Sequence, residues 1–273
     1  MTTAISLVDR AYAAYARVPR HRGQVRALSL ASFLLRERRV LARTQFGLMR
    51  LDVDDAVQIK ILEQGAYEPL TVEAVRRLLK AGQCFVDVGA HVGQFALLAS
   101  ALVGSAGRVI AIEPNPETFC DLQTNLALNT CSNVTPVSCA VTSDARIIGF
   151  ASTQPGNRAA AREVETAAES QLLVGAFNLP TILAAAGAAT CDVLKIDVEG
   201  NEWRVLEPFF ANVLNPPGHI IFEFLPEYFS YHVGPQLMLE RIANLGYRLT
   251  TVEGRDYRVG DAIPEHNLWA QRQ

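Results

Sequence analysis

With 273 residues, 49% hydrophobic and a net charge of −3, the chain can bury one large core; a domain over 44–273 behind an N-terminal extension over 1–43 is expected. No apolar stretch approaches the roughly twenty residues that span a bilayer, and Leu28 to Leu35 is too short and too far from the start for a signal peptide. Five cysteines (84, 120, 131, 139, 191) without a CxxC pair argue against disulfides and zinc, and for a reduced, cytoplasmic protein.

The first 43 residues carry nine arginines against Asp9 and Glu37, a surplus of seven that leaves the remainder at −10. Up to about residue 42 the chain reads as helical, with Val8, Tyr12, Tyr15, Leu30, Phe33 and Leu34 forming an apolar stripe. Such an arm either meets phosphate or an anionic membrane surface, or packs on the domain's own acidic surface or a second subunit. A homo-oligomer through the arm therefore stays open. Thr44 to Val53 alternates around Gly47 and predicts a small hairpin, and helices broken near Gly65 and Pro69 follow between Val57 and Leu79.

After Gly82 short apolar runs alternate with amphipathic segments, the pattern of a mostly parallel sheet with helices on both faces. Strands are predicted at Cys84–Val88, Val109–Ile112, Val134–Val137, Val193–Ile196, Ile220–Phe224, Arg248–Val252 and Asn267–Ala270. Helices are predicted at Gln94–Val103, Pro116–Leu128, Asn201–Phe210 and Gln236–Asn244. The last two strands have no clear helix between them, so a final antiparallel strand is expected at one edge. Between Cys139 and Cys191 lie about fifty residues where a crossover needs about a dozen. This insertion, about 140–190, with a helix predicted from Pro180 to Ala186, reads as a substrate wall ahead of a mere cover for the sheet edge.

The first strand runs into Asp87-Val88-Gly89-Ala90-His91-Val92-Gly93, and the second ends at Glu113-Pro114-Asn115. Glycines let backbone approach a ligand closely, but G-x-G-x-x-G, which clamps a pyrophosphate, is missing because His91 stands where its second glycine would be. That disfavours a nicotinamide dehydrogenase. A cofactor without phosphate and with a cationic amino-acid tail instead gains from Asp87, directly or through water. Glu113 is placed to accept hydrogen bonds from both ribose hydroxyls. Asp87, Gly89, Ala90, His91, Gly93, Glu113, Pro114 and Asn115 thus predict a site for S-adenosylmethionine. The adenine is expected against backbone near Cys139 and Ala140, and Tyr67 with Glu68, just ahead of the first strand, is read as closing over the cofactor.

A second block, Cys191 to Glu202, brings Asp197 to a strand end with Glu199 just beyond, and the next strand brings Glu223 alongside. Three roles remain open for these carboxylates. One is a general base for a hydroxyl or amine, another a divalent cation site, not favoured. The third is an anchor for Lys195, Asn201 or helix N-termini. Asp197 is expected nearest the reacting centre. His232, after the Glu223 strand, is read as a pocket residue.

These motifs resemble the FkbM family of S-adenosylmethionine-dependent methyltransferases. The resemblance runs over about residues 44 to 225 and includes Gly65-Ala66-Tyr67-Glu68-Pro69 and Asn125-Leu126-Ala127-Leu128-Asn129; Lys195-Ile196-Asp197-Val198-Glu199-Gly200-Asn201-Glu202 is its most specific part. It implies a class I, Rossmann-like methyltransferase fold and methyl transfer, often to oxygen on natural products, sugars or lipid-linked glycans. His91 replaces the family's usual Asn, and Leu179-Pro180-Thr181-Ile182-Leu183 lacks the usual Asp. A small-molecule or glycan acceptor is expected, and no nucleic acid. The alternative is a non-catalytic methyltransferase-fold subunit that uses the basic arm for interaction.

Overall fold

In the computed structural model of the protein, residues 38–154, 157–164, 172–188, 190–212, 215–228 and 233–273 are described. The arm up to residue 37 and His232 lie outside them. Central to the fold is a seven-stranded sheet made of β3 (Cys84–Val88), β4 (Arg108–Ile112), β5 (Val134–Val137), β10 (Val193–Ile196), β11 (His219–Glu223), β12 (Tyr247–Thr251) and β13 (Asn267–Arg272). Its order is β5-β4-β3-β10-β11-β13-β12, parallel from β5 to β11 and antiparallel at β13. The strands are near-continuous runs of Val, Ile, Leu and Phe because both faces are covered.

On one face, Phe85, Val109, Val193 and Ile221 pack against α1 (Ala56–Gln64), α2 (Pro69–Leu78), α3 (Gln94–Val103) and α4 (Pro116–Leu128). On the other, Val86, Ile110, Leu194 and Phe222 pack against α5 (Leu179–Ala185), α6 (Glu202–Asn212) and α7 (Pro235–Asn244). Each such aliphatic or Phe side chain contributes roughly 1.5–3 kcal/mol on burial. Period-two alternation therefore dictates that Asp87 and Lys195, in register on β3 and β10, share the first face.

Two expectations are corrected. The final strand is not at an edge: β13 slots between β11 and β12, leaving β12 outermost. A long connection over 252–266 brings β13 back antiparallel to β12, and the other side of β13 pairs with β11, burying Leu268 and Ala270 completely. The arm is not helical to residue 42, because β1 (Arg39–Thr44) pairs antiparallel with β2 (Gly47–Asp52), five residues earlier than the alternation alone suggests. Arg39 is held there by Asp121 at 2.7 Å and Glu117 at 3.3 Å, and Arg38 by Asp52 at 3.1 Å, so this end of the basic segment packs on the domain's own acids.

Asn125 in the last turn of α4 and Asn129 at its C-cap dock the hairpin. Asn125 Oδ1 accepts from Arg50 N at 2.6 Å while its amide donates to Val92 O at 2.9 Å, and Asn129 brackets both backbone groups of Leu48. The insertion folds as a second sheet, with order β6-β9-β7-β8, from β6 (Ala140–Val141), β7 (Arg146–Gln154), β8 (Asn157–Val164) and β9 (Leu172–Phe177). Its Ile148, Val174 and Ala176 form a small core of their own, and Ile148 also reaches the cleft described next. Asn178, whose Oδ1 accepts from Thr181 N at 2.9 Å, caps α5 where the sequence lacks the expected Asp.

Candidate functional site

At the carboxyl ends of β3, β4 and β10, where the strand order reverses, lies a cleft of about 1130 Å³ with its mouth included. The glycine turn after β3 is its floor. Gly89 N and Ala90 N both donate to Ile112 O, and Asp197 N donates to Val88 O, so the three strand ends are tied together. Gly89 has φ +86°, and a Cβ there would lie 2.0 Å from Asp197 O; only glycine fits this crossing. His91 also has a positive φ of 49°. Asn and His are among the few side chains that tolerate this region, which explains why His can stand where Asn is usual.

Glu113 ends β4 with its carboxylate pinned by two backbone donors, His91 N and Asn115 N, each at 2.9 Å. Burial pushes its pKa up to about 7, against those two hydrogen bonds. Asn115 spends its own side chain on the N-terminus of α4, accepting from Glu117 N and Thr118 N, and Pro114 starts the turn between them. Gly93 (φ +90°) opens α3 where a Cβ would meet Leu122. Next to it, Gln94 brackets Tyr67, accepting from its N at 2.7 Å and donating to its O at 2.8 Å, which fixes the Tyr67 backbone at the edge of the cleft that this residue lines.

Around Lys195 the charges are dense. The fully enclosed ammonium donates to Asp197 Oδ2 at 3.1 Å, stands 4.0 Å from Glu68 Oε2 and lies 4.7 Å above the Phe95 ring. Burial opposes its charge, but Asp197, Glu68 and Asp87 together raise its pKa above the ordinary lysine value. Asp87 is wholly buried, its two oxygens accept no hydrogen bond among the described residues, and burial lifts its pKa to about 6. Glu223 and Glu68 are raised by burial too, each also facing the charge of Asp197. Beyond β10, Glu199 (φ +55°) and Gly200 turn the chain, and Glu202 Oε1 accepts from Val198 N and Gly200 N to hold that turn.

Of the residues singled out in the sequence, Tyr67, Gly89, Ala90, His91, Glu113, Pro114, Cys139, Ala140, Asp197 and Glu199 line the cleft. Glu68 and Asp87 lie behind this lining around Lys195, with Glu223 beside Asp197 and Glu68, while Gly93 and Asn115 shape the backbone. Lys195, expected from the sequence only as a group to be anchored, lines the cleft as well, and other lining groups carry no signal in the sequence: Phe95, Thr142, Arg204, and the apolar Ile61 and Phe150. Lys195 was within reach, because alternation puts it on the same side as Asp197. Phe150 was not, because nothing local to an insertion says which face turns inward. Among the described residues no group of His, Cys, Asp and Glu has metal-holding geometry, and no helix is long and apolar enough to cross a membrane.

A seven-stranded, mostly parallel sheet with its final strand reversed, a glycine turn after β3 and an acidic residue ending β4 define a Rossmann-like class I methyltransferase. The Methyltransferase FkbM domain matches residues 87–249, more than half of the chain, and the chain belongs to that family. A stretch of 76 residues is 37% identical to ribosomal RNA large subunit methyltransferase E of Acinetobacter baylyi, spanning 26% of this chain and only 35% of that enzyme. Among solved structures, the methyltransferase FkbM of Methylobacillus flagellatus KT is similar at 15% identity and TM-score 0.46, over 73% of this chain and 50% of that one. Aeropyrum pernix fibrillarin, solved with natively bound S-adenosyl-L-methionine, is similar at 14% identity and TM-score 0.41, over 85% and 82%.

Proposed function

We propose that the protein moves the methyl group of S-adenosylmethionine to a hydroxyl of a small molecule, sugar, lipid-linked glycan or natural product. The observation that carries this reading is Glu113: a carboxyl fixed by His91 N and Asn115 N at the end of β4 and facing the cleft, where it can accept from a ribose. Asp87 supports it, because a buried carboxylate with two unpartnered oxygens fits a site for a cationic amino-acid tail. Gly89, Ala90 and His91 form the floor beneath the sugar, Gly93 and Asn115 hold that floor, and Pro114 flanks it. Cys139 and Ala140 offer backbone to the adenine, and Tyr67 covers the far end with Glu68 behind it.

When bound, the cofactor supplies a sulfonium-borne methyl group for in-line displacement, so alignment supplies most of the rate. Asp197 takes the proton of the attacking hydroxyl, and Lys195 holds that carboxylate in place. Glu199 orients the acceptor from the cleft wall, and Glu223 acts from behind through Asp197. The inserted sheet, through Ile148 and Phe150, closes the wall on the acceptor side. Deuterated methyl donor incubated with the protein and a cell extract tests the reading. Mass spectrometry should show a product carrying the labelled methyl, absent with Asp197→Ala, which still binds cofactor; no labelled product in any extract, or undiminished turnover by Asp197→Ala, would count against it.

A further inference from the structure

The buried layer behind the cleft does not balance its charge. Asp87, Asp197 and Glu68 converge from β3, the end of β10 and the start of α2 on one ammonium, that of Lys195, and Glu223 at the end of β11 faces Asp197 and Glu68 beside it. Glu68 is faced by Lys195, Asp197, the Asn267 amide and Glu265; Glu223 is faced by Asp197, Glu199, Glu202 and Glu68. Tyr67 lines the cleft on the near side of the same group, within the field of Glu68, Asp197 and Glu223. Both oxygens of Asp87 and Oε2 of Glu223 are enclosed without a hydrogen-bond partner among the described residues. An enclosed acid in that position either keeps its proton or waits for a second cation.

We propose that Glu68 and Glu223 make the cleft selective for charge at the reacting centre, so that it holds a sulfonium or ammonium cofactor and disfavours the neutral thioether left after transfer. The proposal rests on the methyl-transfer reading and goes beyond it. Lys195 and Asp197 line the cleft, so a negative charge formed on the acids packed behind them lies close to the surface a ligand touches. Because Glu68 and Glu223 are themselves buried, such a charge is screened far less than one at the surface. Without ligand, burial and mutual repulsion keep the Glu68 and Glu223 carboxyls protonated well above the usual carboxylate range. A cation at the cleft end lets one of them ionise, and its proton passes to the buffer; a thioether gives no such compensation. The same device speeds release of spent cofactor, because transfer removes the charge that the cluster was holding.

Calorimetry of the full chain near pH 7, in two buffers of different ionisation enthalpy, tests this with three probes. They are S-adenosylmethionine, sinefungin, which carries an ammonium where the sulfonium would be, and S-adenosylhomocysteine. The wild type should bind both cationic ligands about tenfold or more tightly than the thioether, the equivalent of one pKa unit of coupling, and release more protons with them. Glu68→Gln and Glu223→Gln should bring the ratio toward unity and remove the extra proton. Equal proton release with all three ligands in the wild type, a measurement that needs no variant, overturns the proposal, as does an unchanged ratio in both variants. Failure of all three to bind the wild type would instead overturn the methyl-transfer reading beneath it.

Discussion

Lys195 on β10 and Asp197 just past its end turn to the same side of the sheet, and the ammonium donates to Asp197 Oδ2 at 3.1 Å. A lysine this deeply enclosed is held by its surroundings: Asp197, Glu68, Asp87 and the Phe95 ring. Removing it would leave several buried acids facing one another. Lys195→Met should therefore lower stability by about 3–5 kcal/mol, read as a shift in the urea midpoint, even though the methionine fills most of the space. A midpoint within error of wild type would show that the acids do not depend on this cation.

The raised carboxyls give unliganded protein an unusual pH dependence. Glu202, buried within the first turn of α6, has its pKa pushed from 4.5 to about 7 by burial, against the hydrogen bonds it accepts from Val198 N and Gly200 N. Between these values the folded state binds more protons than the unfolded one, so stability falls as pH rises. Its share is complete below pH 4.5, lost through about pH 7, and amounts to about 3 kcal/mol at most. Thermal melts of the unliganded protein should show that decline, and Glu202→Gln should flatten part of it.

Gly89 is the tightest crossing in the fold. Both its φ of +86° and the 2.0 Å that would separate a Cβ from Asp197 O forbid a side chain. Gly89→Ala should destabilise by at least about 2 kcal/mol through backbone strain and displacement of the β10 end. Circular dichroism melts read the stability, and ligand titration reads the shift of Asp197; an alanine variant that melts and binds as wild type would show that this crossing constrains neither.

At His91 the backbone, more than the ring, sets the requirement. Because φ is 49° and the amide must reach Glu113, His91→Asn should keep stability and ligand binding within a factor of a few. His91→Val should lose about 1–2 kcal/mol, because a β-branched residue resists the left-handed region. Equal losses in the two variants would place the requirement in the imidazole.

The main sheet was legible because its strands are local signals. Cys84–Val88, Val134–Val137 and Val193–Ile196 stand as the sequence predicts, since strands buried on both faces must be apolar throughout. The place of β13 was not, because which neighbour an antiparallel strand chooses depends on distant partners. The start of the hairpin was hidden for a similar reason: Arg39 belongs to a strand only because Asp121 and Glu117, some eighty residues on, receive it. In the site, the strand-end acids could be named from the sequence, but the role of Gln94 as the clamp on Tyr67 could not, since a glutamine after a glycine turn has no distinguishing spacing. Lys195 fell between the two, visible in the alternation and read only as a group to be anchored.

The central claim is that Glu113, fixed by His91 N and Asn115 N, receives the ribose of S-adenosylmethionine. Calorimetric titration of wild type and Glu113→Ala with S-adenosylhomocysteine tests it most directly. The wild type should show saturable one-to-one binding, and the variant a loss of about tenfold or more, as expected for a charged acceptor serving two hydroxyls. No binding by the wild type, or unchanged affinity in Glu113→Ala, would contradict it.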